Sequence, residues 1–246
     1  MAIKNVAIKT KPNAAPRVQA GGGIETYLKR IFALMFGAVA VTALASYVTV
    51  ATPLWTVLFT QTGLSAVYYI LLFGGLALSI WAQVRAFSFK PSTGALMLFL
   101  YAILTGVVLT PLLLVAVTNN PLTILSAFGI ASVMFACMAL FGYKTVKDLS
   151  FLGIFLFMGM IGLILVGLAS FIWPAIVGGT FGTIVCFIGI LVFALFTAYD
   201  MQNLKRAYAV LGDGTQKNQL AVLGALHLYI SFVAMFQYLL SLLNRN

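Results

Sequence analysis

Charged residues are scarce in this chain of 246 residues, because they make up only 7% of it. Acidic side chains are the rarest, and aspartate and glutamate together number four. An ordinary soluble domain is about one-quarter charged, so this chain cannot supply the polar surface that a soluble protein of its length needs. The scarcity of charge excludes a soluble fold, and the 63% hydrophobic content indicates an integral membrane protein.

Sequence motifs of catalysis and of resident cofactors are also missing. The chain has no glycine-rich phosphate loop, no HExxH, no GxSxG and no clustered metal ligands. One intramembrane aspartate leaves an aspartyl protease mechanism without its second carboxylate. Cys137 and Cys186 lie in apolar stretches without a CxxC pattern, which is typical of packing residues. We therefore expect neither enzymatic activity nor a resident cofactor.

Long apolar runs are what the chain has in abundance. A membrane-spanning helix needs about 20 apolar residues, and prolines and polar turns divide the chain into seven such runs. Lipid offers the backbone no hydrogen-bond partners, and barrel strands would alternate in polarity, so each run predicts a helix. The sequence thus predicts an all-α integral membrane protein with seven transmembrane helices, at residues 30–51, 64–86, 95–117, 122–143, 149–173, 179–204 and 219–243.

The basic residues predict how the chain is oriented in the membrane. Residues 1–23 are polar, basic and end in glycines, which predicts a disordered tail before a transmembrane domain at 24–246. Thirteen of the fourteen lysines and arginines fall on the side of this tail, and only Arg245 falls on the other. The positive-inside rule then predicts a cytoplasmic N-terminus and an external C-terminus. The net charge of +10 is explained by orientation and needs no nucleic-acid partner. An organelle membrane stays open as the alternative, because the tail also lacks acidic residues.

Few ionisable residues lie inside the predicted spans, and each is a functional candidate because burying charge in a membrane is costly. Asp200 near the end of the sixth span and Arg85 near the end of the second lie at a similar depth, which predicts an ion pair or a structural clamp. His227, the only histidine, lies about two turns into the seventh span. It is either a hydrogen-bonded bundle residue or a switch that titrates near neutral pH. Ser231, four residues later, shares its helix face.

Four segments follow one another in an order that is characteristic of a known family: FLYAILTGVVLTP at 99–111, GYKTVKDLSFLG at 142–153, FTAYDMQNLK at 196–205 and LGALHLYISF at 223–232. Over about residues 24–243 the chain resembles the Bax inhibitor-1 family, and in particular its bacterial branch. The resemblance implies a central seventh helix surrounded by the other six. It also implies a pH-sensitive calcium leak in a bacterial inner membrane and a link to stress or cell-death protection.

The resemblance further implies a sensor made of two aspartates that share a proton, one on the sixth and one on the seventh helix, with an arginine on the second helix engaging them. Asp200 matches the first aspartate and Arg85 the arginine. The family pattern LYLDFINLF reads LYISFVAMF here, so Ser231 replaces the second aspartate and Ala234 the asparagine. Serine cannot ionise, so this sensor cannot form as the family uses it. Asp200 is then left as the one carboxylate for a transient calcium ion.

Two interpretations follow from this departure. The protein is a leak with an altered pH response, gated by Asp200 and Arg85, or it is a non-conducting subunit that binds a membrane protease or another membrane complex. A narrower hypothesis is that His227 replaces the lost titratable group. Its protonation would add positive charge and repel a cation. The expected partners are the lipid bilayer and calcium ions in the first interpretation, and the bilayer and a membrane complex in the second.

Overall fold

The computed structural model describes residues 22–60, 63–173, 176, 178–211 and 214–245. The predicted tail falls outside these residues except for Gly22 and Gly23, which begin the first helix. Two strands of two residues each, β1 (Phe59–Thr60) and β2 (Gly63–Leu64), pair antiparallel before the third helix. The described helices are α1 (Gly22–Ala51), α2 (Trp55–Leu58), α3 (Ala66–Val84), α4 (Pro91–Asn119), α5 (Leu122–Lys144), α6 (Ser150–Ile172), α7 (Gly179–Val210) and α8 (Gly214–Leu243).

Seven of these helices, α1 and α3 to α8, are long and apolar enough to cross a bilayer. This confirms the predicted all-α membrane protein with seven spans. The predicted turn between the third and fourth spans is also confirmed, since α4 ends at Asn119 and α5 begins at Leu122. There the Leu122 backbone N–H donates to the Asn120 side-chain oxygen at 3.0 Å. This bond stabilises a chain reversal that the following proline already favours.

The seventh span, α8, is the central helix of the bundle. Its most apolar window is 72% buried, against 44% for α7 and 28% or less for the others. It packs against α1, α4, α5 and α7. The Tyr229 ring on α8 is fully buried, and its hydroxyl lies 2.6 Å from the Thr42 hydroxyl of α1. The expected central seventh helix is therefore confirmed, while α6 packs mainly on α7 at the outside of the bundle.

The segments that carry most of the basic residues lie at one end of the bundle, which we call the basic end. Hydrogen bonds join these segments to one another. α1, α7 and α8 all extend beyond their predicted spans at this end. Their extra turns are polar, and side chains on or directly beside these turns bind neighbouring segments. The contacts are Arg30 to the Asn218 side chain, Lys205 to the Tyr143 carbonyl at 2.9 Å, and Gln219 to the Phe89 carbonyl at 2.7 Å.

Two glycines let α5 and α6 approach α7 closely, just before Asp200. A Cβ atom added at Gly142 of α5 would lie 2.1 Å from the carbonyl oxygen of Ala198. One added at Gly153 of α6 would lie 2.7 Å from the hydroxyl of Tyr199. Both helices therefore fix the position of the α7 turn that carries Asp200.

The loop between α5 and α6 is clamped to α7 on the turns that follow Asp200. Gln202 accepts a hydrogen bond from the Leu149 N–H at 2.9 Å and donates one to the Lys147 carbonyl at 2.8 Å. Arg206 lies 2.7 Å from the Asp148 carboxylate. Hydrogen bonds from the Ser150 hydroxyl and N–H, and then from Arg206, lower the pKa of Asp148 from 3.8 to about 2. The carboxylate is therefore ionised at every physiological pH.

The close approach at Gly142 predicts a selective loss of stability. Gly142→Ala should lower the free energy of unfolding by about 1–3 kcal/mol, because the new methyl group meets backbone that cannot move aside cheaply. Thermal unfolding in detergent measures the effect. The matched control is Gly129→Ala on the same helix, where an added Cβ meets nothing within 4 Å. The control should be neutral or stabilising, since alanine favours helix. Equal melting temperatures for the Gly142 variant and the unmodified protein would contradict the close approach.

The lowered pKa of Asp148 predicts that its clamp does not respond to physiological pH. A carboxyl group whose pKa falls on folding stabilises the protein above its ordinary pKa, and this contribution is lost as the pH falls towards 2. Asp148→Asn should therefore leave the slope of melting temperature against pH unchanged between about pH 5 and pH 8. A slope that differs between the two proteins in that range would show that Asp148 titrates there and would overturn the assignment.

Candidate functional site

Asp200 and His227 lie side by side between α7 and α8. The Asp200 Oδ1 atom is 3.8 Å from the His227 Nδ1 atom. The Asp200 side chain is only 13% exposed and that of His227 is 34% exposed, so water screens their interaction weakly. The distance is short enough for strong electrostatic interaction and too long for a direct hydrogen bond. We call these two residues the Asp–His pair.

The antiparallel register of α7 and α8 creates this pair. Along the two helices the Cys186 thiol meets the Ser241 hydroxyl at 3.7 Å, and Gly224 faces the Leu204 side chain. Between these contacts, the register brings Asp200 opposite His227. Ser231, the serine at the family's second aspartate position, lies about one turn further along α8 than His227 and is buried, with 3% of the residue exposed. The ionic contact that the structure gives Asp200 is with His227.

Gln83 of α3 is a third member of the site that sequence reasoning missed. Its Nε2 atom donates to the Ser79 carbonyl at 3.2 Å, so its Oε1 atom is left as an acceptor. That oxygen lies 3.0 Å from His227 Nε2, which must therefore carry a hydrogen. Glutamines are common in helices, and nothing in the sequence marks this one. Only a prediction of the α3–α8 contact could have found it.

The hydrogen bond to Gln83 fixes what the Asp–His pair can do. When Nε2 carries a hydrogen, Nδ1 has an unprotonated lone pair in the neutral His227 ring and carries a second N–H in the charged ring. If the neutral ring faced an ionised Asp200, two hydrogen-bond acceptors would face each other and repel. One proton between Nδ1 and Oδ1 removes that repulsion, as imidazolium with carboxylate or as imidazole with carboxylic acid. The pair is then neutral overall, and it gains or loses a whole charge when it titrates.

The predicted ion pair between Arg85 and Asp200 is wrong. Arg85 is exposed at the C-terminal end of α3, and within the described residues Asp200 has its ionic contact with His227 instead. Arg85 follows Gln83 by two positions, which turns it about 200° around the helix axis. Because Gln83 points towards α8, Arg85 points away from it. The structure therefore provides a histidine and an amide where the sequence suggested a guanidinium.

A resident metal ion finds few ligands here. In the described parts of the chain, no three His, Cys, Asp or Glu side chains gather in one place. Calcium prefers six to eight oxygen ligands, and Asp200 supplies one carboxylate with an imidazole beside it. A calcium ion at this site would therefore need most of its ligands from water or from backbone oxygens.

Comparison with known proteins places the fold in a family. The sequence profile of the family described as inhibitor of apoptosis-promoting Bax1 matches residues 24–246. The inner membrane protein YbhL of Escherichia coli strain K12 is 32% identical over 233 residues, which cover 93% of this chain and 95% of that protein. Protein RP147 of Rickettsia prowazekii strain Madrid E is 29% identical over 225 residues, 91% of each chain. The membrane protein SpyM3_0260 of Streptococcus pyogenes serotype M3 is 33% identical over 162 residues, 64% of this chain and 66% of that protein.

These similarities and the seven apolar helices support a bacterial multi-pass membrane protein. The profile covers the whole helical domain and departs from the chain only before residue 24. The relative from Escherichia coli, at 32% identity over nearly the whole of both chains, agrees with this match. The chain belongs to the Bax inhibitor-1 family.

Proposed function

We propose that this protein is a proton-regulated cation leak of a bacterial inner membrane, with calcium as the ion, and that the Asp–His pair is its pH sensor. One observation carries the proposal: a carboxylate held between two packed helices has an imidazole nitrogen 3.8 Å away. Transport needs no catalytic step and no resident cofactor. Controlled calcium entry would connect the protein to stress and cell-death protection, as the family resemblance implies.

The charge of the Asp–His pair sets the direction of the response. With one shared proton, the pair is neutral. At higher pH the proton leaves, and the remaining negative charge attracts a cation into the bundle. At lower pH a second proton makes the pair positive, and a cation is repelled. The leak should therefore increase as the pH rises, with His227 supplying the titratable group that Ser231 cannot.

A recess at the end of the bundle opposite the basic end supports a path for ions. It has a volume of about 440 Å³ and contains several polar side chains: Tyr68, Ser170, Gln237 and Ser241. Between this recess and the Asp–His pair, α8 is packed, and Phe232 and Met235 there are almost fully buried. On this proposal the structure is a closed state, and α8 must move against its neighbours before ions pass.

The orientation in the membrane follows from the basic end. Lysines and arginines are retained on the cytoplasmic side during insertion. We therefore place the basic end, with the N-terminus and the Asp–His pair, towards the cytoplasm. The recess and the C-terminus then face outward, and the pair senses cytoplasmic pH.

Calcium flux into proteoliposomes between about pH 6 and pH 8 tests the proposal. Flux through the unmodified protein should rise with pH. Asp200→Asn should reduce it about tenfold, because a full charge is lost from a weakly screened site. His227→Gln keeps a donor for Gln83 but cannot titrate, so Asp200 is left as the one proton site of the pair and the midpoint of flux against pH should move. Asp148→Asn is the matched control, since it removes an exposed carboxylate on a loop and should behave like the unmodified protein.

An unchanged pH profile in His227→Gln, with the same midpoint as the unmodified protein, would remove the histidine from the mechanism. Full flux through Asp200→Asn would remove the carboxylate. Both variants must be shown to fold by their elution and melting temperature before the fluxes are compared.

Gln83 gives a second, independent test, because it faces the far side of the imidazole. Gln83→Glu places a negative charge 3.0 Å from Nε2, where it stabilises the charged ring. The midpoint of flux against pH should therefore move upward by about one pH unit. Gln83→Met, of similar size and uncharged, should show no such upward move. Equal midpoints in the two variants would contradict the contact between α3 and α8.

A second candidate function, a non-conducting subunit for a membrane protease or other complex, is favoured by two observations. The central helix α8 is tightly packed, with 72% of its most apolar window buried. Arg245 lines the recess and places positive charge where a cation would enter. Absence of flux above empty vesicles at every pH, together with partner capture that persists in Asp200→Ala, would support this function over the leak.

A further inference from the structure

A lateral groove opens on the side of the bundle between α1, α4, α5 and α8, in the half of the helices away from the basic end. Its volume is about 500 Å³. The walls are almost wholly aliphatic and aromatic, and include Val39, Val50, Leu113, Phe128 and Phe232. A groove of this kind at membrane depth faces lipid, so its contents come from the bilayer.

The length of the groove matches one half of the bilayer. The groove follows α1 from Val39 to Val50, a length of about 16 Å. One leaflet contributes about 15 Å to a hydrocarbon core of about 30 Å. The groove therefore has the length of an extended hydrocarbon chain that reaches from the headgroup region to the middle of the bilayer.

Three side chains with hydroxyl groups line the groove, and two of them are bonded inside the bundle. The Thr42 hydroxyl donates to the Ala102 carbonyl at 3.1 Å and lies 2.6 Å from the Tyr229 hydroxyl. The Ser46 hydroxyl donates to the Gly106 carbonyl at 2.7 Å. The third, Tyr47, is largely exposed, and among the described residues none that lines the groove is charged. An uncharged, mainly apolar chain is therefore the chemistry that fits.

We propose that the lateral groove binds one acyl chain of a phospholipid from the leaflet opposite the basic end. The terminal carbons of the chain lie beside Thr42 at mid-membrane, and the headgroup lies near the turn between α4 and α5. The chain fills the space that α1 and α5 leave open and covers Phe232 and Phe236 of α8. This site is separate from the Asp–His pair and does not depend on conduction.

Photolabelling in nanodiscs tests the site. The probe is a phosphatidylglycerol that carries a diazirine near the end of one acyl chain, and mass spectrometry maps the adducts after irradiation. Adducts should concentrate on the groove-facing residues of α1 and α8. Ala43→Trp fills the groove and should reduce these adducts about tenfold. Ala77→Trp, on an exposed position of α3 outside the groove, is the matched control and should leave them unchanged.

Adducts of equal yield in Ala43→Trp and the unmodified protein would overturn the proposal, because they would show only the lipid that surrounds every membrane protein. Loss of the adducts in discs that hold two copies would assign the groove to a second copy and would overturn the proposal as well. Should Ala43→Trp fail to fold, Leu113→Trp fills the groove from the opposite wall and serves in its place.

Discussion

One carboxylate within the helical bundle, and the imidazole beside it, impose the constraint around which this structure is arranged. A buried charge costs several kcal/mol unless it is paired or neutralised. Asp200 meets that constraint through His227, and His227 is in turn oriented by Gln83. Three spans, α3, α7 and α8, therefore converge on this contact, which joins ionisable groups within a largely apolar core. A change in its protonation alters the charge at the helix interface directly.

The surrounding helices hold this contact in place without taking part in it. Gly142 and Gly153 let α5 and α6 approach α7 next to Asp200, and Gln202, two residues after Asp200, binds the loop between α5 and α6. On the other side, Tyr229 ties α8 to α1 just beyond His227. The central helix is thus fixed on both sides of the pair. The lateral groove, in contrast, leaves the opposite half of α8 partly open to lipid.

The sequence predicts the spans well because apolar length alone decides which segments cross a bilayer. It predicts helix ends poorly at the basic end, where the polar turns of α1, α7 and α8 resemble loops and are helical through tertiary hydrogen bonds. It names Asp200 and His227 as candidates, since ionisable residues are rare in spans. The sequence suggests the wrong partner, Arg85, because the rotation of α3 about its own axis depends on packing. Two residues along α3, the amide of Gln83 faces the site in place of the guanidinium.

The single histidine of the chain makes the central contact directly measurable. Protein with ¹⁵N-labelled histidine, purified without a histidine tag, gives one pair of imidazole nitrogen signals. If the Asp–His pair exists, Nε2 stays protonated across the titration, while the Nδ1 signal and its dependence on pH change when Asp200 is replaced by asparagine. Identical Nδ1 titrations with and without the carboxylate would show that Asp200 and His227 do not interact, and would contradict the existence of the Asp–His pair.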